Sequence, residues 1–239
     1  MSSLLTYNSK SLNFEIFLSS QKWVVPSELS TPLNIIVIGG GGGGGGGYSS
    51  NYVGGGGSSS SVVYAKAIVK PGTQLNIVVG AGGSGGTGGS NPTPGNPGGM
   101  SYVDLVIKPA GVTSGPLIGA LPGGAGLPAK SSANGTGGTP YVISTATGTY
   151  YGLVMLGSQY QDVFFVLAAY VLQGMSASGQ TPGVTPILPL SFSGSGNTYY
   201  GLNNTASNFS YGSGGVGGNV NLNGQPGNQG IVVIWWGDE

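Results

Sequence analysis

Short apolar runs recur along the chain, separated by turn residues and by blocks of glycine, and their spacing predicts strands. In residues 12–18, Leu12, Phe14, Ile16 and Leu18 alternate with Asn13, Glu15 and Phe17, the two-residue period of a half-buried strand. Further strand-like runs occupy residues 22–25, 33–38, 62–69, 75–79, 102–107, 141–144, 150–156, 161–172 and 231–236. Between 62–69 and 75–79 stands Lys70-Pro71-Gly72-Thr73-Gln74, and Pro-Gly at the centre of a turn suits type II geometry, so this pair reads as a β-hairpin. No segment combines helical periodicity with caps, although residues 162–172 are open to a second reading as a short buried helix.

The glycine blocks change this picture most. The chain holds 51 glycines in 239 residues. They cluster at 39–47, at 54–57, at 80–89 (interrupted by Ala81, Ser84 and Thr87) and at 212–218. A run of glycine is ordinarily a flexible linker. Here the first block leaves directly from an apolar strand, the blocks alternate with strands over the whole length, and the last leads towards the apolar run at 231–236. The alternative is a set of extended, polyproline-II-like segments packed side by side, close enough for interchain N–H···O=C bonds supported by Cα–H···O contacts because glycine has no Cβ. The expected fold is therefore all-β, a glycine-rich β-sandwich-like framework with polyglycine segments. Four stretches divide it: 1–20, an amino-terminal strand or assembly segment; 21–140, the first part of the glycine-rich β-domain; 141–211, an aromatic-rich insertion; and 212–239, its carboxy-terminal strand.

Charge and reactive groups narrow the function. Six lysines and six carboxylates make up 5% of the residues, net charge is zero, and Arg, His and Cys are absent. Without a basic footprint, no nucleic-acid partner is expected. So few titratable groups also make stability depend weakly on pH. Triads, histidine metal sites and thiol nucleophiles are unavailable. Glu15, Glu28, Asp104, Asp162, Asp238 and Glu239 are scattered, which argues against a glycosidase pair. The polyglycine satisfies a dinucleotide fingerprint only trivially, because no helix pattern follows it. The expectation is a protein that is not an enzyme and takes no cofactor or metal. No signal peptide is visible, and the most apolar stretch, residues 163–172, is half the length of a spanning helix, so no membrane insertion is expected.

Several motifs stand in a particular order. Gln21-Lys22-Trp23-Val24-Val25-Pro26 precedes Ile35-Ile36-Val37-Ile38 and polyglycine. Val62-Val63-Tyr64-Ala65-Lys66-Ala67 follows, then Leu75-Asn76-Ile77-Val78-Val79-Gly80, Gly217-Gly218-Asn219-Val220-Asn221 and Gly230-Ile231-Val232-Val233-Ile234-Trp235-Trp236. This succession resembles the glycine-rich domain at the ends of phage tail fibres and related virion adhesins, over about residues 17–110 and 212–236. The resemblance implies a virion location, homo-oligomerisation alongside other virion proteins, and contact with a host-surface glycan or protein. Residues 111–211 depart from it, being longer and more aromatic.

Candidate recognition residues are Tyr48 and Tyr52 between glycine blocks, and Tyr199, Tyr200 and Tyr211 beside Asn-rich turns, since Tyr among Ser, Gly and Asn gives amphipathic contact area. The competing role for these rings is capping the glycine bundle or filling a subunit interface. Asn134, Asn203 and Asn208 head N-x-Ser/Thr sequons. Leu12, Phe14, Ile16 and Leu18 form either the first strand of the sheet or an assembly strand added to a neighbour's edge. The leading expectation is a structural fibre or spike protein on a virion surface, outside the cell. The alternatives are a polymerising filament subunit without a receptor site and a secreted matrix protein.

Overall fold

A computed structural model describes residues 2–7, 10–29, 32–108, 116–145, 148–150, 152–154, 163–183 and 211–237. Its strands are β1 (Ser2–Tyr7), β2 (Lys10–Phe17), β3 (Gln21–Val24), β4 (Leu33–Ile38), β5 (Val62–Val69), β6 (Gln74–Val78), β7 (Ser101–Leu105), β8 (Ile118–Ala120), β9 (Ile143–Thr145), β10 (Gly148–Tyr150), β11 (Gly152–Val154), β12 (Phe164–Leu172) and β13 (Ile231–Gly237). No helix occurs among the described residues. A six-stranded antiparallel sheet, β1-β2-β13-β4-β5-β12, stacks on a five-stranded one, β11-β8-β7-β6-β3, and β9 pairs with β10 separately. The fold is all-β, as the sequence pattern predicts.

One core fills the space between the sheets. Leu33, Ile35, Val37, Val63, Ala65, Val232 and Ile234 from the larger sheet meet Leu75, Ile77, Val103, Ile118 and Ala120 from the smaller. Phe17 on β2, Trp23 on β3 and Trp236 on β13 close one flank, with ring centroids 6.2 Å apart for Phe17–Trp23 and 5.8 Å for Trp23–Trp236. The larger sheet is apolar on its other face too, where Ile36, Val62, Ile231 and Val233 form a second cluster with Ile16, Tyr64 and Trp235.

Two expectations are corrected, and one choice between readings is decided. Residues 62–69 and 75–79 do not form a hairpin. The turn between them is right, with Gly72 at φ 77° and the Thr73 amide donating to the Lys70 carbonyl, but β5 pairs with β4 and β12 while β6 pairs with β3 and β7. Each strand has one fully buried apolar row, and the two rows face each other across the core, so the strands stack instead of pairing. Of the two readings of residues 162–172, the strand holds over 164–172, where the backbone pairs with β5. In β2 the residue sunk in the core is Phe17, from the row of Asn13 and Glu15, whereas Ile16 packs on the outer cluster and Leu12 and Leu18 are exposed.

Beyond β4 the glycine blocks are ordered. Amides of Gly40, Gly43 and Gly46 donate to Gly99, Asn96 and Thr93; those of Gly41, Gly44 and Gly47 to Asn228, Gln225 and Leu222; those of Gly39, Gly42 and Gly45 to Ser61, Ser58 and Gly55. Carbonyls follow the same rhythm: Gly40, Gly43 and Gly46 accept from Gly123, Gly126 and Ala129, Gly41, Gly44 and Gly47 from Gly83, Gly86 and Gly89, and Gly42 and Gly45 from Gly215 and Gly218. This three-residue period is that of a polyproline II helix, and no glycine of the central segment 39–47 has positive φ. Acceptor numbers fall along the segment and donor numbers rise, so the central helix runs antiparallel to one set of neighbours and parallel to the other.

A helix surrounded on all sides has no direction free for a side chain. A Cβ on Gly40, Gly41, Gly42 or Gly43 would fall on the backbone carbonyls of Ala81, Ser213, Gly124 and Ser84 respectively. At the rim one direction in three is open, and there Ala81, Ser84 and Thr87 stand exposed at every third position. The unbroken polyglycine and the x-Gly-Gly repeat are the same helix at two depths.

Residues 54–61 form a second enclosed helix that changes from glycine to serine, Ser58–Ser61 being fully buried. The hydroxyls of Ser58, Ser59 and Ser61 accept the amides of Gly124, Met175 and Leu121 at 2.7, 2.7 and 2.8 Å. Ser60 Oγ is buried with no hydrogen-bond partner among the described residues. Ser58→Ala should therefore cost about 1–2 kcal/mol, and Ser60→Ala should be neutral or stabilising, in chemical denaturation. Equal losses at the two positions would contradict this assignment.

Candidate functional site

The lattice carries its turns away from the sandwich. Residues 39–47 start at the end of β4, and nine residues of threefold helix span roughly 28 Å at about 3.1 Å each. At the far end the Tyr48 amide donates to the Tyr52 carbonyl and the Tyr48 carbonyl accepts from Asn221, so the turns at 48–52 and 219–223 lie side by side. Tyr48 also bridges Gly89, which begins the turn leading to Thr93. The Val53 amide donates to Asn134 Oδ1 at 3.0 Å, which brings in the loop after the Lys130–Ala133 bridge. Asn51 and Asn221 hold φ of 59° and 63°, a left-handed conformation that Asn accepts better than most residues, and it lets these turns reverse within a few residues.

The resulting tip is polar but almost uncharged. Ser49, Ser50, Asn51, Asn91, Ser131, Asn219, Asn221 and Asn223 are exposed around the half-buried rings of Tyr48 and Tyr52, with Val220 and Leu222 adding apolar surface and Lys130 one cation. Donors, acceptors, aromatic edges and small apolar patches on a rigid base are the elements of a recognition surface for uncharged polar ligands. Among the described residues no group of three or more His, Cys, Asp or Glu is placed to hold a metal ion. Asp104 pairs with Lys108 at 2.8 Å in the smaller sheet, and Glu28 accepts the Ser27 hydroxyl at 2.9 Å.

The sequence candidates separate in space. Tyr48 and Tyr52 are at the tip. Tyr211 is not: it packs half-buried against the outer cluster of the larger sheet. Asn134 is exposed beside the tip, and its side-chain oxygen is engaged by Val53. Tyr199, Tyr200, Asn203 and Asn208 lie outside the described residues. Leu12, Phe14 and Ile16 belong to β2, whose two sides are taken by β1 and β13 within the same chain, and Leu18 follows it. Sequence reasoning missed the contributions of residues 91–93, 130–133 and 219–223. A signal for the helices behind two of these turns is present in Gly95 and Gly98, and in Gly224, Gly227 and Gly230, a three-residue glycine spacing.

No curated protein matches the chain. The family model described as a glycine-rich domain matches residues 18–237, a span that starts just after β2, ends at the last described residue and takes in the five-stranded sheet, the other four strands of the larger sheet and the lattice. The chain belongs to this glycine-rich domain family.

Proposed function

We propose that the chain is a non-enzymatic structural protein of a virion fibre or spike, related to phage tail-fibre adhesins, in which sandwich and lattice hold the tip turns against a host surface. The observation that carries this reading is the convergence of the turns around Tyr48 and Tyr52 at the end of a glycine-rich lattice. Ordering so much glycine is entropically costly, and what it yields here is a narrow, stiff mount for short loops. The partners are further copies of the chain, other virion proteins and a host glycan or protein, and the location is the virion surface. Asn134 is the exposed candidate for glycan attachment. A second reading, a filament subunit without its own receptor site, is favoured by the open edges of the larger sheet at β1 and β12.

Two measurements test the proposal. Gold-labelled antibody against the chain should mark projections on genome-carrying particles in cultures of the source organism; label confined to cell-surface material would overturn it. Purified protein should bind cells from the same culture, and Tyr48→Ser with Tyr52→Ser should weaken that binding by about tenfold or more at unchanged melting temperature. Unchanged binding with a lowered melting temperature would make the rings caps of the lattice.

A further inference from the structure

The two main sheets present their edges unequally. In the five-stranded sheet β3 is four residues long and carries Lys22, and β11 is three residues long. In the six-stranded sheet β1 is six residues, half of them Ser or Thr. The remaining edge, β12, is a nine-residue strand, Phe-Phe-Val-Leu-Ala-Ala-Tyr-Val-Leu, with no charge and no proline. Short length, lysine and proline are the usual means of keeping an edge from pairing with another chain. The one protective feature of β12 is a register irregularity between Val166 and Ala168.

Apolar side chains flank this edge in the open. Phe165 is 43% exposed, Leu167 47% and Tyr170 66%, and Ile68 on the adjoining β5 is 51% exposed. Tyr170 stacks on Tyr64 at 6.1 Å, and Tyr64 in turn lies 5.9 Å from Trp235, so the patch is continuous with the aromatic outer face of the sheet. Among the described residues β12 pairs only with β5.

We infer that β12 is the pairing edge between two copies of this chain, joined antiparallel about a two-fold axis so that two six-stranded sheets become one. An open edge accepts an extended backbone, which selects a strand as occupant. Charge admits a second copy of β12, and length selects it over β1, which is equally uncharged but has six residues to pair with nine. A two-fold axis pairs the strand with an identical strand, so an edge carrying net charge repels itself, whereas β12 carries none and the chain has no net charge. The middle of the strand is Ala168 and Ala169, which put little bulk at an axis passing there. The inference rests on the self-association in the reading above and not on host contact, so either can fail alone.

Light scattering on the purified chain should give twice its 23.6 kDa mass. Phe165→Lys with Leu167→Lys, both at exposed positions, should weaken association about a hundredfold at unchanged melting temperature and return the chain mass. Should that pair fail to fold, Ala168→Cys decides, since the chain has no other thiol: mild oxidation should give a covalent dimer and nothing larger. A monomeric wild type, assembly that survives the lysines in a folded protein, or an Ala168→Cys variant that does not link would each overturn the inference. Long assemblies that the lysines abolish would also overturn it, in favour of head-to-tail pairing of β12 with β1.

Discussion

Gly43→Ala should lower the melting temperature by roughly 10 °C or more, whereas Ser84→Ala should leave it within about 2 °C. The two substitutions view one contact from opposite sides. A Cβ on Gly43 would fall on the carbonyl of Ser84, while the Ser84 side chain points outward and accepts from Asn96 Nδ2 at 2.7 Å on the exposed rim. The added methyl has nowhere to go. Moving the central helix away from Ser84 strains the bonds from the Gly43 amide to Asn96 and from Gly126 to the Gly43 carbonyl, each 2.9 Å, and carries it towards other backbones. Overpacking a core usually costs about 1–3 kcal/mol because side chains can repack. Here the obstacle is backbone, as in a collagen triple helix, so the upper end or beyond applies. At about 2–4 °C per kcal/mol for a chain of this size, that gives the stated shift. Differential scanning calorimetry of the two variants measures it. If Gly43→Ala melted with the wild type, the glycine block would be a linker after all.

What the sequence disclosed and what it withheld have physical causes. The inner strands of the sandwich were legible because β5, β6 and β7 bury every second residue, and the Leu33–Ile38 and Ile231–Gly237 runs are apolar enough to be buried on both faces. The ordered state of the glycine was legible from its alternation with strands. Pairing was not, because the turn at Pro71-Gly72 is compatible with a hairpin and with a crossing between sheets, and what decides is which rows of side chains share a core. β1 and β8 escaped notice: Ser-Ser-Leu-Leu-Thr-Tyr has no clean alternation and Ile-Gly-Ala is too short to show a period. Trp23 and Trp236 mark the two ends of the glycine-rich frame in sequence and touch in space, which no spacing argument reaches. At the tip, the aromatic pair Tyr48 and Tyr52 announced itself by composition, but the turns beside it come from segments up to about 170 residues away and are assembled only by the lattice.

Ending the chain after Gly230, and so removing β13, should abolish cooperative unfolding, whereas removing residues 1–9 should lower the melting temperature by only a few degrees. β13 lies between β2 and β4 and is hydrogen-bonded along both sides. It carries Ile231, Val232, Val233 and Ile234, all buried, with Val232 and Ile234 at 0% exposure in the core between the sheets. Four such side chains at about 1.5–3 kcal/mol each amount to roughly 6–12 kcal/mol, comparable with the 5–15 kcal/mol that holds an ordinary domain folded. Loss of the strand also parts the sheet in its middle and uncovers the facing edges of β2 and β4, which then invite pairing with other chains. β1, by contrast, is an edge strand that among the described residues is bonded to β2 alone, and losing it leaves the rest of the ladder closed. Thermal melts followed by circular dichroism, with limited proteolysis beside them, separate the outcomes: a sharp transition in the chain shortened at Gly230 would show that the sheet does not depend on its central strand. The same geometry orders folding, since β2 and β4 are made early and cannot close on each other until residues 231–237 arrive to fill the gap, a long-range step that should make refolding slow.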